Sequence, residues 1–384
     1  MPIYLDNAAT TKISQVALDE YNRISLEEYA NSSSIHTIGL DAKSLLEECR
    51  NDIASILGVR ASNIYFTSGG TVSDNIAIFT ACNKVKDPHS ARIISTSVEH
   101  HACLNCLKEL ERRGFDVKYL PMTKEGIDLS MLEELLTPNT ILVNMMHVNN
   151  ETGHAFPIFE AADLVHDKCP DALFHVDGVQ GFCKEDFTLL GSHIDSYAAS
   201  SHKFHGPKGS GILYLSNRYK LTPFTFGGGQ ERSLISGTEN LPGIGAMTVA
   251  AKEAYHSLRD NREYVSKLRD MLWDGLSKLD GTYRISPMDG SPYILSVAFK
   301  TIPAEIMLNA LNNRGVCVSA GAACAGNAKG SHVIGAMGLP REVAAGTIRF
   351  SLSTTNTEDD IIYTLKAVND IISTVFTRFN FKKR

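Results

Sequence analysis

The sequence predicts an α/β fold, a large domain on a mostly parallel sheet joined to a smaller α+β domain. Three observations carry that prediction. From residue 64 to about 215, short apolar runs alternate with longer stretches whose apolar residues recur at helical spacing. The apolar runs are continuous, the pattern of strands covered on both faces rather than of a half-exposed antiparallel sheet. Beyond about residue 256 the order changes to a long helical stretch, then strand-like segments with helices between them.

In chain order, Ile64-Tyr65-Phe66-Thr67 reads as a strand, and Asp74 to Lys86 as the helix after it. Arg92 to Thr96, Asp116 to Leu120, Thr140 to Met146 and Ala172 to Val176 read as further strands. Helical patterns near 102–113, 128–136 and 158–168 separate most of them. Ile194 to Ser200 and Gly211 to Leu215 extend the sheet. After the Gly227-Gly228-Gly229 turn, roughly 240–279 reads as one long helical stretch. Tyr293 to Phe299 and Thr347 to Leu352 are strand-like, with helices near 303–314 and 357–376. The boundary is expected near 256, so that residues 15–255 form the large domain. Residues 1–14 are expected to return and pack with 256–384 in the small one. In sheets of this kind ligands collect where strands end and helices begin.

Composition narrows the function. Hydrophobic residues at 43% and charged residues at 21% are ordinary for a globular chain, which excludes a large disordered fraction. A formal charge of −6 argues against a broad nucleic-acid footprint, since phosphate backbones call for a basic face. No apolar run approaches the ~18 residues of a membrane span, and the first residues lack a signal-peptide pattern. A cytoplasmic protein without membrane or direct nucleic-acid contact is expected. With eight cysteines and no export signal, a disulfide framework is not expected. Cys103 and Cys106 form a single CxxC without a second pair, so no zinc site is expected, although His100 and His101 lie just upstream.

Chemistry concentrates in a few segments. Ser200-Ser201-His202-Lys203-Phe204-His205-Gly206-Pro207-Lys208-Gly209 sets a lysine after an apolar strand, beside hydroxyl and imidazole groups. Most lysines are solvated, but one desolvated at a strand end has a lowered pKa and can form a Schiff base. Lys208, between Pro207 and Gly209, is the competing candidate. Upstream, His175-Val176-Asp177-Gly178-Val179-Gln180 ends a strand in an Asp, alone a common turn former. Beside an imine-forming lysine, such a carboxylate can keep a pyridinium nitrogen protonated, with Gln180 donating to the ring oxygen. In Thr67-Ser68-Gly69-Gly70-Thr71-Val72-Ser73-Asp74, Thr71 and Asp74 match a capping signature, and the open glycine amides suit a phosphate.

Taken together, Gly-Gly-Thr, His, Asp-x-x-Gln and Ser-x-His-Lys in that order resemble the cysteine desulfurases of the NifS/IscS type. These belong to the class V aminotransferase group of fold-type I pyridoxal-phosphate enzymes. The resemblance runs from Tyr4-Leu5-Asp6-Asn7-Ala8-Ala9 through Glu99-His100 and His147-Val148-Asn149-Asn150-Glu151-Thr152-Gly153. It continues in Gly228-Gly229-Gln230-Glu231, Ser236-Gly237-Thr238-Glu239-Asn240, Ala323-Cys324 and Arg349-Phe350-Ser351-Leu352. It implies a seven-stranded-type sheet, pyridoxal 5'-phosphate as cofactor, and conversion of L-cysteine to L-alanine with sulfur passed to an enzyme persulfide.

Residue by residue, the resemblance implies that Lys203 holds the cofactor, Asp177 pairs with its ring nitrogen and Gln180 contacts its ring oxygen. His100 stacks on the ring and takes part in proton transfer. Gly70, Thr71, Ser200 and His202 bind the phosphate, with Thr238 reaching in from the other subunit of a homodimer. Asn150 and Arg349 hold the substrate carboxylate, a task suited to a planar guanidinium fork. Cys324, in a small and Gly-rich segment of the small domain, is the nucleophile that receives sulfur. A sulfur-acceptor protein is implied, such as an iron–sulfur scaffold or a tRNA-thiolating enzyme. Five positions depart from the family pattern: Val72 for Glu, Phe156 for Gln, Ile235 for Arg, Ala322 for a small polar residue and Ser32 for Pro. Ile235 bears on the contact across the dimer. A selenocysteine lyase, an aminotransferase, or a retired interaction scaffold remain alternatives on the same fold.

Overall fold

The computed structural model describes residues 2–83, 85–320 and 331–381. The chain opens with β1 (Ile3–Tyr4), α1 (Gln15–Glu27) and α2 (Thr37–Leu57), followed by β2 (Ile64–Thr67) and α3 (Gly70–Cys82). Then come β3 (Arg92–Thr96), α4 (His101–Arg112), β4 (Asp116–Leu120), the small pair β5 (Met122–Thr123) and β6 (Gly126–Ile127), and α5 (Leu129–Leu135). β7 (Thr140–Met146), α6 (Ile158–Lys168), β8 (Leu173–Asp177), β9 (Ser196–Ser200) and β10 (Gly211–Leu215) complete the large sheet. Its order is β2-β10-β9-β8-β7-β3-β4, and β10 alone runs against its neighbours. The continuous apolar runs are buried as expected: β2, β9 and β14 (Thr347–Ser351) show no exposed position.

Beyond the sheet, α7 (Leu241–His256) and α8 (Leu258–Leu276) precede β11 (Thr282–Arg284), β12 (Ile294–Phe299), α9 (Ala304–Asn312) and β13 (Val316–Cys317). α10 (His332–Ala336), α11 (Arg341–Ala345), β14 and α12 (Glu358–Phe381) follow. β11, β12 and β14 form an antiparallel sheet, and β1 lies parallel to β13. Leu5 and Ala8 thus pack in the same apolar core as Val265, Leu295, Phe350 and Val368.

Three sequence expectations are corrected. The helix after β2 begins at Gly70, not Asp74, because Gly69 takes φ 146° and serves as its N-cap without any side-chain bond. Thr71 therefore lies inside the first turn instead of capping it, and Asp74 turns inward to His175, 3.3 Å from Nε2. The stretch 240–279 is two helices, broken where Ser257 leaves helical geometry (φ −99°, ψ 16°). The sequence reading also passed over α1 and α2, the latter a 21-residue helix that buries Leu46, Ile53 and Leu57.

β2 is an edge strand, and side chains take the place of a neighbour. Phe66 N–H donates to Glu231 Oε2 at 2.9 Å, and the Ile64 carbonyl accepts from Arg50 and Arg232. Arg50 in turn grips Glu231 with two 2.9 Å bonds. Such capping removes an open strand edge. It also holds Glu231, Arg232 and Ser233 at φ 45°, 54° and 65°, a left-handed run that side chains disfavour. Thr238 follows this clamped segment.

Candidate active site

Five parallel strands deliver residues to one rim of the large sheet. Thr67, Thr96, Met146, Asp177 and Ser200 end β2, β3, β7, β8 and β9, and Gly211 at the start of β10 pairs with both Thr67 and Ser200. A Cβ on Gly211 would meet the Gly69 backbone at 2.6 Å, so close strand-to-turn packing requires glycine there. Above this rim lies a cleft of about 840 Å³. It is lined by Gly70, Thr71, His100, Asp177 and Gln180, and by Ser200, His202 and Lys203. Asn150 and Arg349 line it as well. Sequence reasoning named all ten. Thr238 is exposed and outside the cleft lining of its own chain, and Cys324 lies outside the described residues.

Lys203 stands in a half-buried position, its Nζ donating to the Ala8 and Ala9 carbonyls at 2.8 and 2.7 Å. Burial first, and then the Arg349 guanidinium, push its ammonium down to about 8. The competing Lys208 lies at the rim and is exposed. Asp177 is buried and accepts from Val179 N–H at 3.0 Å. Burial pushes its carboxyl above the usual range, with His100 and Lys203 opposing. A cation opposite this carboxyl would supply the countercharge that burial withholds.

His100 doubles as the N-cap of α4, its Nδ1 accepting from Ala102 N–H at 3.1 Å. Nδ1 is therefore an acceptor, and any ring proton of the neutral imidazole sits on Nε2. Burial lowers its pKa further. His202 holds Thr10 Oγ1 through Nδ1 at 3.1 Å, and burial with neighbouring lysines pushes it down to about 4. Arg349 donates through Nη1 to the Asn150 carbonyl and through Nη2 to Asp6 Oδ1, both at 2.8 Å. Its Nε is buried without a hydrogen-bond partner among the described residues. Arg349 lines the cleft, and a planar guanidinium fork there suits an incoming carboxylate.

The cleft suits pyridoxal phosphate on these observations. A side chain on Gly70 would strike Val179 Cγ2 at 2.5 Å, so glycine keeps the α3 N-terminus open. Its glycine N-cap leaves first-turn N–H groups without a side-chain acceptor, an anion-binding arrangement.

Behind the cleft, Asp74, Cys103 and His175 bring potential ligand atoms within 4.8 Å of one another. Hydrogen bonds already engage both nitrogens of His175, Nδ1 with Ser196 Oγ at 2.8 Å and Nε2 with Asp74. Burial holds the Cys103 thiol protonated, so this trio is a polar core beneath Asp177. Cys106, the other half of the CxxC, instead donates to the Ala102 carbonyl.

The departures from the family pattern have local explanations. Val72 and Ile235 pack against one apolar cluster with Tyr65, Leu213 and Leu234. Phe156 is buried in the main core. Ser32 donates to Glu239, the neighbour of Thr238, at 2.9 Å. Ala322 lies outside the described residues. Sequence reasoning missed Lys184, buried and bonded to Gln180, although its place four residues after Gln180 in the apolar Phe182-Cys183 stretch was a usable signal.

Comparison with known proteins places this geometry. Residues 3–363 match the family described as Aminotransferase class-V. Cysteine desulfurase 2 of Trichormus variabilis is 40% identical over 374 residues, covering 96% of this chain and 93% of that protein. Cysteine desulfurase IscS of Methanosarcina thermophila is 36% identical, covering 96% and 92%. Among solved structures, a NIFS-like protein superposes with a TM-score of 0.92 at 38% identity, covering 97% of this chain and all of that one. SspA in complex with cysteine superposes with a TM-score of 0.81 at 31% identity, covering 92% of this chain and 100% of that chain.

Proposed function

Since the chain belongs to the class-V aminotransferase family, among the cysteine desulfurases, we propose that its cleft takes sulfur from L-cysteine with pyridoxal 5'-phosphate held on Lys203. The observation that carries this reading is the convergence of Lys203, Asp177 and Arg349 on one cleft. There the lysine is desolvated, and the guanidinium keeps a buried N–H with no partner among the described residues.

When bound, the cofactor supplies an electron sink for charge at the substrate α-carbon. Asp177 would face its ring nitrogen, Gln180 its ring oxygen, and Gly70, Thr71, Ser200 and His202 its phosphate. Arg349 and Asn150 would hold the carboxylate of L-cysteine. Lys203, with its ammonium near 8, is partly neutral around pH 7 and can accept the α-proton at Nζ. His100, its Nδ1 engaged by the α4 backbone, presents Nε2 for further proton movement.

The Cys324 thiolate then attacks the substrate sulfur. One S–S bond forms, the substrate Cβ–S bond breaks, and its electron pair stays on the carbon skeleton, which takes up protons to leave alanine. The sulfur on Cys324 passes to a thiol-bearing acceptor protein. Residues 15–255 carry the cofactor site, and 1–14 with 256–384 form the smaller domain that carries Cys324. Thr238, exposed beyond the clamped 231–233 segment, would complete the phosphate site of a second copy in a homodimer.

The test is product analysis. Purified protein loaded with pyridoxal phosphate, given L-cysteine and dithiothreitol, releases sulfide and alanine in equal amounts. Formation of pyruvate or of a keto acid in place of alanine would contradict desulfuration.

A further inference from the structure

Lys184 is buried at 7% exposure beside Gln180, outside the residues that line the cofactor cleft, and makes no ion pair among the described residues. Its neighbour Glu185 is engaged elsewhere, with Arg262. The Lys184 ammonium instead donates to Gln180 Oε1 at 2.9 Å and lies 5.6 Å from the centre of the Tyr293 ring. A buried ammonium without a carboxylate is costly, so its retention beside a cofactor-facing residue calls for a reason.

The hydrogen bonds supply one. Gln180 Nε2 donates to the Ala8 carbonyl at 2.9 Å, and the same carbonyl accepts from Lys203 Nζ at 2.8 Å. The Lys184 ammonium can only donate and Ala8 O can only accept, so in that form the two ends of the Gln180 amide are fixed. Without Lys184 the Oε1 end would be a buried acceptor with no partner, and the amide would lose its constraint. With it, the remaining Nε2 proton belongs to the cleft that Gln180 lines.

The geometry points to Lys184 as a positioning residue that holds Gln180 as a hydrogen-bond donor toward the cofactor's ring oxygen and places a positive charge behind it. This rests on the proposed pyridoxal-phosphate reading. Both effects act in one direction: a cation nearby and a stronger donor at the ring oxygen disfavour protonation of the nitrogen that joins Lys203 to the cofactor. The other groups facing that nitrogen are Asp177 and Asp6, which favour the proton, and Arg349, which opposes it. His100 and His202 lie nearby, and burial lowers the pKa of both, that of His202 to about 4. The three linked bonds of 2.9, 2.9 and 2.8 Å keep the Lys184 and Lys203 nitrogens close. Two charges roughly 10 Å apart at an effective dielectric of ~20 shift a titration by about one in pH. Burial pushes Lys184 itself down to about 7, so part of that shift is expressed near neutrality.

The experiment is a pH titration of the visible absorption band of the loaded protein, for wild type, Lys184→Met and Lys184→Arg. Lys184→Met moves the band transition up by about 0.5–1 in pH, while Lys184→Arg, which keeps donor and charge, leaves it near or below the wild-type value. If Lys184→Met does not fold, Lys184→Gln takes its place with the same upward direction. A transition unmoved by loss of the charge, or moved equally by arginine, overturns the assignment and leaves Lys184 a packing residue. A wild type with no titrating visible band overturns the cofactor reading itself, and this inference with it.

Discussion

Replacing Arg349 with lysine keeps the positive charge and removes the fork. The guanidinium is held by two 2.8 Å bonds, to the Asn150 carbonyl and Asp6 Oδ1, and its buried Nε has no partner among the described residues. Lysine offers one ammonium and cannot meet both anchors while still pairing with a carboxylate. One charge-assisted hydrogen bond lost is worth about 1.5–3 kcal/mol, or about 10- to 150-fold in KM for L-cysteine. The contacts proposed for the cofactor fall on Lys203, Asp177, Gln180 and the phosphate-binding residues and not on Arg349, so Arg349→Lys should bind pyridoxal phosphate with unchanged affinity. Steady-state sulfide release across a range of L-cysteine concentrations reads KM, and absorbance of the loaded protein reads cofactor binding. An unchanged KM, or a loss confined to cofactor binding, refutes the placement of the substrate carboxylate at Arg349.

Other expectations follow from the same geometry. Cys324→Ser should keep its cofactor and its spectral change on addition of L-cysteine, yet form no persulfide by mass spectrometry. Glu231→Gln removes the buried partner of Arg50, leaving it only the half-exposed Glu47 at 3.2 Å, and should destabilise the protein by about 3 kcal/mol, read as a lower urea midpoint. Burial raises Glu99 from 4.5 to about 8, so the folded state holds a proton that the unfolded state loses, and stability contributed by this group declines as pH rises between those values. Glu99→Gln should therefore gain melting temperature relative to wild type as pH goes from about 5 to 8.

Much of the sheet was legible because buried parallel strands advertise themselves as apolar runs; the bounds of β3, β4, β7 and β10 coincide with the runs read from sequence. The helix after β2 was placed four residues late because Gly69 caps it through backbone conformation alone, and a left-handed glycine leaves no side-chain signal. α2 went unread because Thr37 follows an imidazole cap, with His36 Nδ1 accepting from Gly39 N–H, and not a hydroxyl or carboxylate cap. The residues that line the cleft were legible as motifs, since turns that bring backbone close to a ligand demand glycine and particular donors at short spacing. What supports them was not. The Lys184–Gln180–Ala8–Lys203 chain joins residues almost 200 positions apart, and Arg50–Glu231 joins 181. Contacts of that separation leave no periodicity to read.

The most direct measurement is borohydride reduction of the loaded protein followed by peptide mapping of the lysine that carries the cofactor. Among the described residues three lysines compete in this neighbourhood: Lys184 beside Gln180, Lys203 at the centre and Lys208 on the rim. The account predicts the label on Lys203 alone, and its absence in Lys203→Ala. A label on Lys184 or Lys208 would contradict it.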